Sequence, residues 1–380
     1  MRTIAIMVEN SRAYGRAMIE GIAAYAQETR DWILRPLTVE DAFTPHLRDF
    51  DGVIARIADD RLAERLARSG LPVVDVFCQK ARPGIAGVDS DHRRIGEMAK
   101  DFFLSRNFAN TAYCGIPGVA FSDARGNAFE TDATHVYANR SKKPLDESQF
   151  YAERADRIPD MRQLKDWVKK LPKPVAVFCC NDLRAIQLQR VARGMGLRIP
   201  EDMAILGVDD DTILCSFAEV PTSSIDPNSF QVGYDAARLL RAMLLRKPAK
   251  KLHRIRHVRP GRLIERTSTE FMPVDPPWLG NVLMHIEKNM RRPIPASEIF
   301  ALSGRSSTFV ENVFRDRLRT SVQAYITSVK MREAKRLIAD PSLRISEIAY
   351  RCGFSSPQYF CRTFTATFGV SPKTYRAQQG

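Results

Sequence analysis

The first two thirds of the chain alternate short apolar runs with stretches in which apolar residues recur at helical spacing. Met18, Ile22 and Ala26 give an example of the helical spacing, since they share one helix face. The apolar runs, each of which predicts a strand, are residues 4–8, 51–57, 71–77, 85–91, 111–116, 174–180 and 203–210. Apolar strands joined by amphipathic helices indicate parallel sheets with helices on both faces. Because the stretch up to residue 268 is longer than one such sheet needs, we predict a two-lobed α/β domain over residues 1–268.

The pattern changes at residue 269. Residues 269–278, TEFMPVDPPW, contain three prolines, which suits a linker, and we place this linker at residues 269–277. Beyond it the pattern contains no convincing strand. The helical stretches are residues 279–289, 296–303, 306–317 and 324–339. We therefore predict an all-α C-terminal domain over residues 278–380.

The stretch ISEIAYRCGFSSPQYFCRTFTATFGVSPKTYR, residues 345–376, predicts two helices joined by a tight turn. Gly353 allows the positive φ that ends the first helix. Ser356 and Pro357 suit the cap and the first position of the second helix. Phe360 and Phe364 are four residues apart and form a buried face of that helix. These features together predict a helix-turn-helix unit.

The same pattern occurs a second time in residues 296–326, shifted by 50 positions. Phe314 corresponds to Phe364, and Val310 corresponds to Phe360. The helical stretch between the two units would connect them. Two such units on a stiff connector can enter successive major-groove faces of DNA, about 34 Å apart.

The exposed faces of the two second helices carry residue types that can contact DNA. Arg pairs with guanine, and Asn or Gln pairs with adenine. The candidate base-contacting residues are Thr308, Asn312, Arg315, Gln358, Arg362 and Thr365, and the candidate phosphate-contacting residues are Arg305, Ser306, Ser307, Ser355 and Ser356. The alternative is a helical protein-interaction module with a solvated polar face. The formal net charge of +14 favours DNA, because the residues from Asp275 onward hold sixteen Lys and Arg against eight Asp and Glu.

The C-terminal stretch resembles the signature of the AraC/XylS family of transcription regulators. The resemblance lies in ISEIAYRCGF, YFCRTF and GVSPKTYR. It implies an all-α domain with two helix-turn-helix units that binds double-stranded DNA. One departure is Arg319-Thr320, which stands where the second unit has Gly369. We expect a local difference in the turn there and the same fold.

The N-terminal part resembles the sugar-binding lobes of LacI/GalR regulators and of periplasmic sugar-binding proteins. The resemblance lies in NDLRAIQLQRVARGMGLRIPEDMAILGVDDD (181–211) and PTSSIDPNSFQVGYDAARLL (221–240). It implies a periplasmic-binding-protein-like sensor domain. Ligands of open parallel sheets bind beyond the carboxyl ends of the strands. The candidates there are Glu9, Ser11, Tyr14, Arg16, Arg56, Asp91, Arg125, Asn181, Asp182 and Asp209.

The resemblance assigns sugar hydroxyls to Arg125, Asn181 and Asp209. For Glu9, Arg56 and Asp91, surface charges or helix caps are an equal alternative. The order of the domains resembles regulators that respond to a pentose, which implies a small sugar effector, D-xylose. Another monosaccharide or a phosphorylated metabolite stays open. We further expect a homodimer on paired half-sites and, if the regulator is an activator as the family favours, RNA polymerase as a partner.

Other functional classes find little support in the sequence. The six His residues are scattered, and no nucleophile motif, phosphate-binding loop or metal-ligand triplet occurs, so we predict no enzyme, no metal and no cofactor. The seven Cys residues form no CxxC pair and fit reduced thiols. No apolar run approaches the roughly 20 residues of a membrane-spanning helix, and the first residues do not fit a signal peptide. We therefore expect a cytoplasmic protein without a membrane partner.

Overall fold

The computed structural model describes residues 1–130, 134–137, 161–245 and 255–378. The chain forms two compact units, Met1–Glu270 and Phe271–Gly380. The boundary between them lies inside the stretch that we predicted as a linker. The stretch is partly packed into both units. Thr269 is buried in the first unit, and Met272 is buried in the apolar core of the second.

The first unit contains all the strands of the described residues, and helices occur in both units. The strands are β1 (Arg2–Met7), β2 (Trp32–Pro36), β3 (Gly52–Ala55), β4 (Val73–Asp75), β5 (Ala86–Ser90), β6 (Thr111–Cys114), β7 (Thr134–Val136), β8 (Val175–Cys179), β9 (Met203–Val208), β10 (Ser223–Ile225), β11 (Ile255–Val258) and β12 (Leu263–Ile264). The helices are α1 (Ala13–Thr29), α2 (Asp60–Ala67), α3 (His92–Ser105), α4 (Ala120–Phe129), α5 (Met161–Lys170), α6 (Asp182–Arg193), α7 (Thr212–Phe217), α8 (Ser229–Leu245), α9 (Pro277–Asn289), α10 (Ala296–Ser303), α11 (Ser307–Leu318), α12 (Val322–Ile338), α13 (Ile345–Arg351), α14 (Pro357–Phe368) and α15 (Pro372–Ala377). Short 3-10 helices cover Glu40–Phe43, Pro45–Asp49 and Thr267–Thr269. None of the helices in these ranges is long and apolar enough to cross a membrane.

The first unit has two lobes, each built on a six-stranded sheet. The first sheet has the strand order β11-β5-β4-β3-β1-β2 and is parallel throughout. The second has the order β12-β10-β9-β8-β6-β7, in which only β12 runs antiparallel to its neighbour. Their central strands are buried because helices cover both faces, as the continuous apolar runs predicted. Since β11 returns to the first sheet and β12 to the second, the chain crosses between the lobes three times.

Helices α1 and α8 pack against each other at two glycines. A Cβ on Gly21 would overlap the carbonyl oxygen of Phe230, and a Cβ on Gly233 would overlap the carbonyl oxygen of Met18. The two backbones therefore approach more closely than any other residue type would allow. This contact fixes α1, whose first turn lies at the cavity described below.

The second unit is helical, and α12 joins its two halves. The first three buried residues of α12 on its core face belong to the cluster that includes Val310 and Phe314, and the later ones belong to the cluster that includes Phe360 and Phe364. The sequence of buried, half-buried and exposed residues over 311–320 recurs without change over 361–370. The fifty-residue repeat is thus also a repeat of structure, which confirms two helix-turn-helix units.

The expected turn difference at Arg319 is small: ψ is 30° at Arg319 and −8° at Gly369, and the Arg319 N–H also bonds the carbonyl oxygen of Phe314. Arg319 ends α11 with φ 56°, and Gly369 ends α14 with φ 75°, so both residues occupy the left-handed region. The backbone N–H of each also bonds a carbonyl of its own helix, that of Arg315 or Thr365. Arginine accepts a conformation that favours glycine because the shape of the turn is set by the packing of the two helices.

Candidate functional sites

A cavity of about 620 Å³ lies between the two lobes of the first unit, at the carboxyl ends of their strands. Its size is typical of small-molecule sites. Eight of the ten residues predicted to bind a ligand contribute to its wall. They are Glu9, Ser11, Tyr14, Arg56, Arg125, Asn181, Asp182 and Asp209.

Arg16 and Asp91 lie outside this wall. The guanidinium of Arg16 donates to the carbonyl oxygens of Asn10 and Ser11, at 3.3 and 2.7 Å, and so supports the loop after β1. The carboxylate of Asp91 accepts from the backbone N–H of Arg94 at 2.9 Å and caps α3. This cap is the alternative that the sequence left open, and the geometry does not favour either residue as a direct ligand contact.

The loop after β1 is folded tightly over the start of α1. The Ser11 N–H donates to the carboxylate of Glu9 at 2.6 Å. A Cβ on Gly15 would overlap the carbonyl oxygen of Glu9, so only glycine allows the loop to lie this close. The first turn of α1 carries Tyr14, whose hydroxyl donates to Asp89 at 3.4 Å. Burial, followed by the Asp89 carboxylate, raises the pKa of Tyr14 well above its usual value, so the phenol keeps its proton.

Asp182 organises the acidic loop of the second lobe. Its buried carboxylate accepts from the Ser224 hydroxyl at 2.6 Å and from the Asp211 N–H at 2.9 Å. Burial raises the pKa of Asp182 well above its usual value, and the neighbouring Asp209 raises it further. Asp209 and Asp210 then have φ of 116° and 45°, a rare conformation outside glycine. The hydrogen bonds of Asp182 to Ser224 and Asp211 therefore support the loop that carries Asp209.

Arg125 is the most deeply buried cation of the wall, with 2% of its surface exposed. Its guanidinium donates to the carbonyl oxygen of Cys180 and lies 5.0 Å from the ring centre of Phe121. Helix α3 approaches α4 closely here, since a Cβ on Gly96 would overlap the Arg125 carbonyl oxygen. These contacts fix the guanidinium, which can donate charge-assisted hydrogen bonds to ligand oxygens.

Aromatic rings complete the cavity and join the lobes. Phe77 follows β4 and Phe121 lies on α4, and their ring centres are 6.1 Å apart. The guanidinium of Arg56 stacks on Phe77 at 3.6 Å. Two hydrogen bonds also cross the cleft, from the Ala120 N–H to Gln79 Oε1 at 2.9 Å and from the Ala13 N–H to Asp211 Oδ2 at 3.4 Å.

Several residues of the wall were not predicted from the sequence. The polar ones are Arg12, Asp59, Gln79, His92 and Asp211, and the aromatic ones are Phe77 and Phe121. Phe77 ends an apolar run that was predicted as a strand, so its position beside the carboxyl end could have been inferred. Within the described ranges, no group of three or more His, Cys, Asp or Glu residues has the arrangement of a metal site.

The second unit carries the candidate DNA-binding surface on α11 and α14. In the first half, Gly304 ends α10 with φ 62°, and the Ser306 hydroxyl caps α11 by accepting from the Phe309 N–H at 3.3 Å. In the second half, Gly353 has φ 67°, and Ser356 caps α14 in the same manner at 3.2 Å. The two turns and caps therefore follow the predicted pattern.

The candidate DNA-contacting side chains lie on the outer face of these helices. Ten of the eleven are exposed, namely Arg305, Ser306, Ser307, Thr308, Asn312, Arg315, Ser355, Gln358, Arg362 and Thr365. Ser356, which caps α14, is half-buried. Phe309 and Tyr359 are each 45% exposed at equivalent positions of the repeat. The guanidinium of Arg305 lies 5.6 Å from the Phe309 ring, and that of Arg362 lies at the same distance from Tyr359.

Comparison with known families agrees with both halves of this description. Residues 100–269 match the periplasmic binding protein-like domain, and residues 301–378 match a helix-turn-helix domain. The chain therefore joins a periplasmic-binding-protein-like domain to a helix-turn-helix domain of the AraC type, and it is a DNA-binding transcription regulator.

Individual relatives share the whole architecture. The chain is 25% identical to the xylose operon regulatory protein of Escherichia coli (strain K12), over 98% of this chain and 96% of that protein. It is 23% identical to the protein of the same name from Haemophilus influenzae, over 98% and 97% of the two chains. Among solved structures, a xylose-binding transcription activator matches with a TM-score of 0.60 and 25% identity, over 100% of this chain and 98% of that chain. A LacI family transcriptional regulator from Enterococcus faecium with bound ribose shares the fold of the first unit, with a TM-score of 0.54 and 20% identity over 70% of this chain and 98% of that chain.

Proposed function

We propose that this regulator binds a monosaccharide in the cavity between its lobes and changes its action on DNA in response. The observation that carries the proposal is the composition of the cavity wall. Carboxylates such as Asp209, the guanidinium of Arg125 and the amide of Asn181 surround a space bounded by Phe77 and Phe121. Sugar hydroxyls both donate and accept hydrogen bonds, and the apolar face of a sugar ring suits an aromatic surface.

A pentose is the effector that we favour, with D-xylose first. The support comes from the two relatives named for a xylose operon and from the related structure that is described as xylose-binding. Their similarity extends over nearly the whole of each chain, so the sensor and the DNA-binding part are shared together. The wall chemistry alone fits other monosaccharides as well.

The response would come from closure of the lobes. The Gln79–Ala120 and Ala13–Asp211 hydrogen bonds join opposite sides of the cleft, so a ligand between them favours the closed arrangement. A ligand acts only through its different affinities for the open and closed forms. We infer that closure changes how two copies in a homodimer hold their DNA-binding units on paired half-sites. We expect activation, because the related structure is described as a transcription activator, and an activator would have RNA polymerase as a partner.

Isothermal titration calorimetry of the full chain tests the sensor. D-xylose, D-ribose and L-arabinose are titrated beside D-xylose 5-phosphate. We expect D-xylose to bind, and Asp209→Ala to abolish binding because a charge-assisted acceptor is lost. Glu219→Ala, which removes an exposed carboxylate paired with Arg193 elsewhere on this lobe, is the matched control and should bind as the wild type does. If none of the neutral sugars binds the wild-type chain, the proposed effector class is wrong.

Footprinting and competition binding on promoter DNA test the second unit. We expect Arg362→Ala to reduce the preference for specific over random duplex DNA, since an arginine that pairs with guanine contributes about 1–3 kcal/mol of discrimination. Arg332→Ala on α12 removes one exposed positive charge outside the reading helices and is the control. Equal affinity of the wild type for specific and random duplexes would contradict the proposal.

A further inference from the structure

Three side chains that line the cavity each have a buried polar atom without a hydrogen-bond partner in the protein. These atoms are Gln79 Nε2, His92 Nδ1 and Arg125 Nε. Buried polar groups of folded proteins are nearly always paired. Each of these three side chains is also fixed at another atom, so it cannot simply turn to find a partner. The arrangement points to a ligand that pairs them.

The hydrogen-bonding role of His92 follows from its neighbours. Its Nε2 lies 3.3 Å from Asp89 Oδ1. That oxygen also accepts from the Ser90 N–H at 2.8 Å and from the Tyr14 hydroxyl at 3.4 Å, so it is an acceptor. Nε2 must therefore carry the hydrogen, and Nδ1 of the neutral imidazole is left as an acceptor. Burial lowers the pKa of His92, with Asp89, Arg125 and His257 as the charged or titratable groups around it, and this favours the neutral ring.

Gln79 has the complementary role. Its Oε1 accepts from the Ala120 N–H at 2.9 Å, and this bond fixes which end of the amide is the oxygen. Nε2 is then a donor that has no partner within the protein. The wall thus offers one oriented acceptor, on His92, and one oriented donor, on Gln79.

We propose that His92 and Gln79 are ligand-binding residues that select a neutral, hydroxyl-bearing ligand over a phosphorylated one. His92 Nδ1 accepts from a ligand hydroxyl, and Gln79 Nε2 donates to a ligand oxygen. A ligand hydroxyl can donate to His92 Nδ1, whereas a phosphate oxygen is another acceptor and carries negative charge, so the two repel. The rest of the wall carries both carboxylates, on Glu9, Asp59 and Asp209, and guanidinium groups, on Arg12, Arg56 and Arg125, so the discrimination that we propose lies at His92. This inference rests on the proposed function, because it defines the class of sugar that the same cavity takes.

The same two residues couple the ligand to the closed arrangement of the lobes. Gln79 lies in the loop after β4 of the first lobe, and its bond to Ala120 reaches the second lobe. The ring of His92, at the start of α3, lies 6.0 Å from that of Phe121 on α4. A ligand held by Gln79 and His92 therefore stabilises side chains that already bridge the cleft.

Two substitutions of His92 separate its two nitrogens. His92→Gln keeps an amide near the Nε2 position, beside Asp89, and leaves no polar atom at the Nδ1 position. His92→Asn keeps a polar atom near Nδ1 and does not reach Asp89. In calorimetry of the full chain with D-xylose, we expect His92→Gln to weaken binding about 10-fold to 100-fold, since one buried hydrogen bond is lost. His92→Asn should retain more affinity than His92→Gln.

Xylose analogues that each lack one hydroxyl identify the atom that His92 reads. One analogue should bind the wild type and His92→Gln with equal affinity, because it lacks the hydroxyl that would donate to His92. Gln79→Glu tests the donor independently and also covers the case in which a His92 variant does not fold. It keeps an oxygen facing the Ala120 N–H and replaces the donor by an acceptor, so we expect at least about 10-fold weaker D-xylose binding.

The outcomes distinguish this inference from the function on which it rests. Wild-type affinity for D-xylose in the folded variants His92→Gln and Gln79→Glu would overturn the inference and leave the sugar sensor intact. Tighter binding of D-xylose 5-phosphate than of D-xylose by the wild type would also overturn it. Failure of the wild type to bind any neutral sugar would instead refute the proposed function.

Discussion

Lys330 joins the two helix-turn-helix units through a single buried ammonium group. Only 7% of its surface is exposed. Its Nζ donates to the carbonyl oxygen of Gly353 at 2.7 Å and to that of Arg292 at 3.1 Å, and it lies 5.4 Å from the ring centre of Phe354. Gly353 forms the turn of the second helix-turn-helix, and Arg292 precedes α10, the first helix of the first helix-turn-helix. Replacing Lys330 by Met therefore removes the link and keeps most of the apolar stem.

The expected cost can be worked out from these contacts. A hydrogen bond from a charged donor contributes about 1.5–3 kcal/mol, and a desolvated cation–π contact contributes about 1–2 kcal/mol. Burial acts in the opposite direction, since it lowers the pKa of Lys330 and disfavours the charge. The carbonyl oxygen of the buried residue Gly353 would nevertheless lose its donor. We expect Lys330→Met to lower the free energy of unfolding of the second unit by about 3 kcal/mol.

Native-state hydrogen exchange of the full chain is the suitable assay, because it resolves the two units separately. A loss of about 3 kcal/mol corresponds to exchange that is roughly 100-fold faster in α13 and α14. Amides of the first unit provide the internal reference and should not change. Lys330→Arg keeps the charge and the donors, so its effect should be smaller. Unchanged or slower exchange in Lys330→Met would refute the reasoning, because the buried ammonium would then contribute no net stability.

The remaining predictions concern backbone shape, protonation and packing. Arg319→Gly should stabilise the second unit by about 0.5–1 kcal/mol, and Gly369→Ala should destabilise it by about 1 kcal/mol, as measured by chemical denaturation, because both positions have a left-handed φ. Burial lowers the pKa of His92 from its usual 6.5, so calorimetry from about pH 8 downward should show D-xylose affinity falling only in the acid range, as Nδ1 becomes protonated. A fall in affinity whose midpoint lies above pH 6.5 would contradict a lowered pKa. Gly21→Ala should lower the melting temperature of the first unit by several degrees, because the added methyl group meets the Phe230 backbone.

The two-unit organisation and the helix-turn-helix repeat could be predicted from the sequence because their signals are local. The step of four between Phe360 and Phe364, and the caps at Ser306 and Ser356, depend only on neighbouring residues. The short strands were missed for the opposite reason. The edge strand β2 (Trp32–Pro36) leaves most of its side chains at least partly exposed, so it lacks an apolar run. The strand β12 (Leu263–Ile264) has only two residues. Both exist because a neighbouring strand pairs with them, and that pairing is a tertiary contact.

The turn at Arg319 illustrates a further limit of local reasoning. Its side chain type predicts a departure from the glycine turn, yet the backbone has the same left-handed conformation as at Gly369. The packing of Phe314 and Phe364 in equivalent positions fixes the direction of the helix that follows each turn. The left-handed conformation costs a residue other than glycine about 1–2 kcal/mol, and the packing of such buried side chains outweighs this cost.

In the cavity, too, some features follow from local sequence and others depend on tertiary contacts. The rule that ligands bind beyond the carboxyl ends of parallel strands located the wall, including Arg125, Asn181 and Asp209, without knowledge of their contacts. His92 was out of reach because its neighbour Asp91 has the stronger local signal, that of a helix cap. The hydrogen-bonding role of His92 also depends on the residues around it. The acceptor character of Nδ1 exists only because Asp89, three residues earlier, engages Nε2 and because burial keeps the ring neutral. Selectivity for an uncharged ligand would then depend on the protonation state of the His92 imidazole. The residue type alone does not specify this state, because it depends on the neighbours that the fold places around the ring.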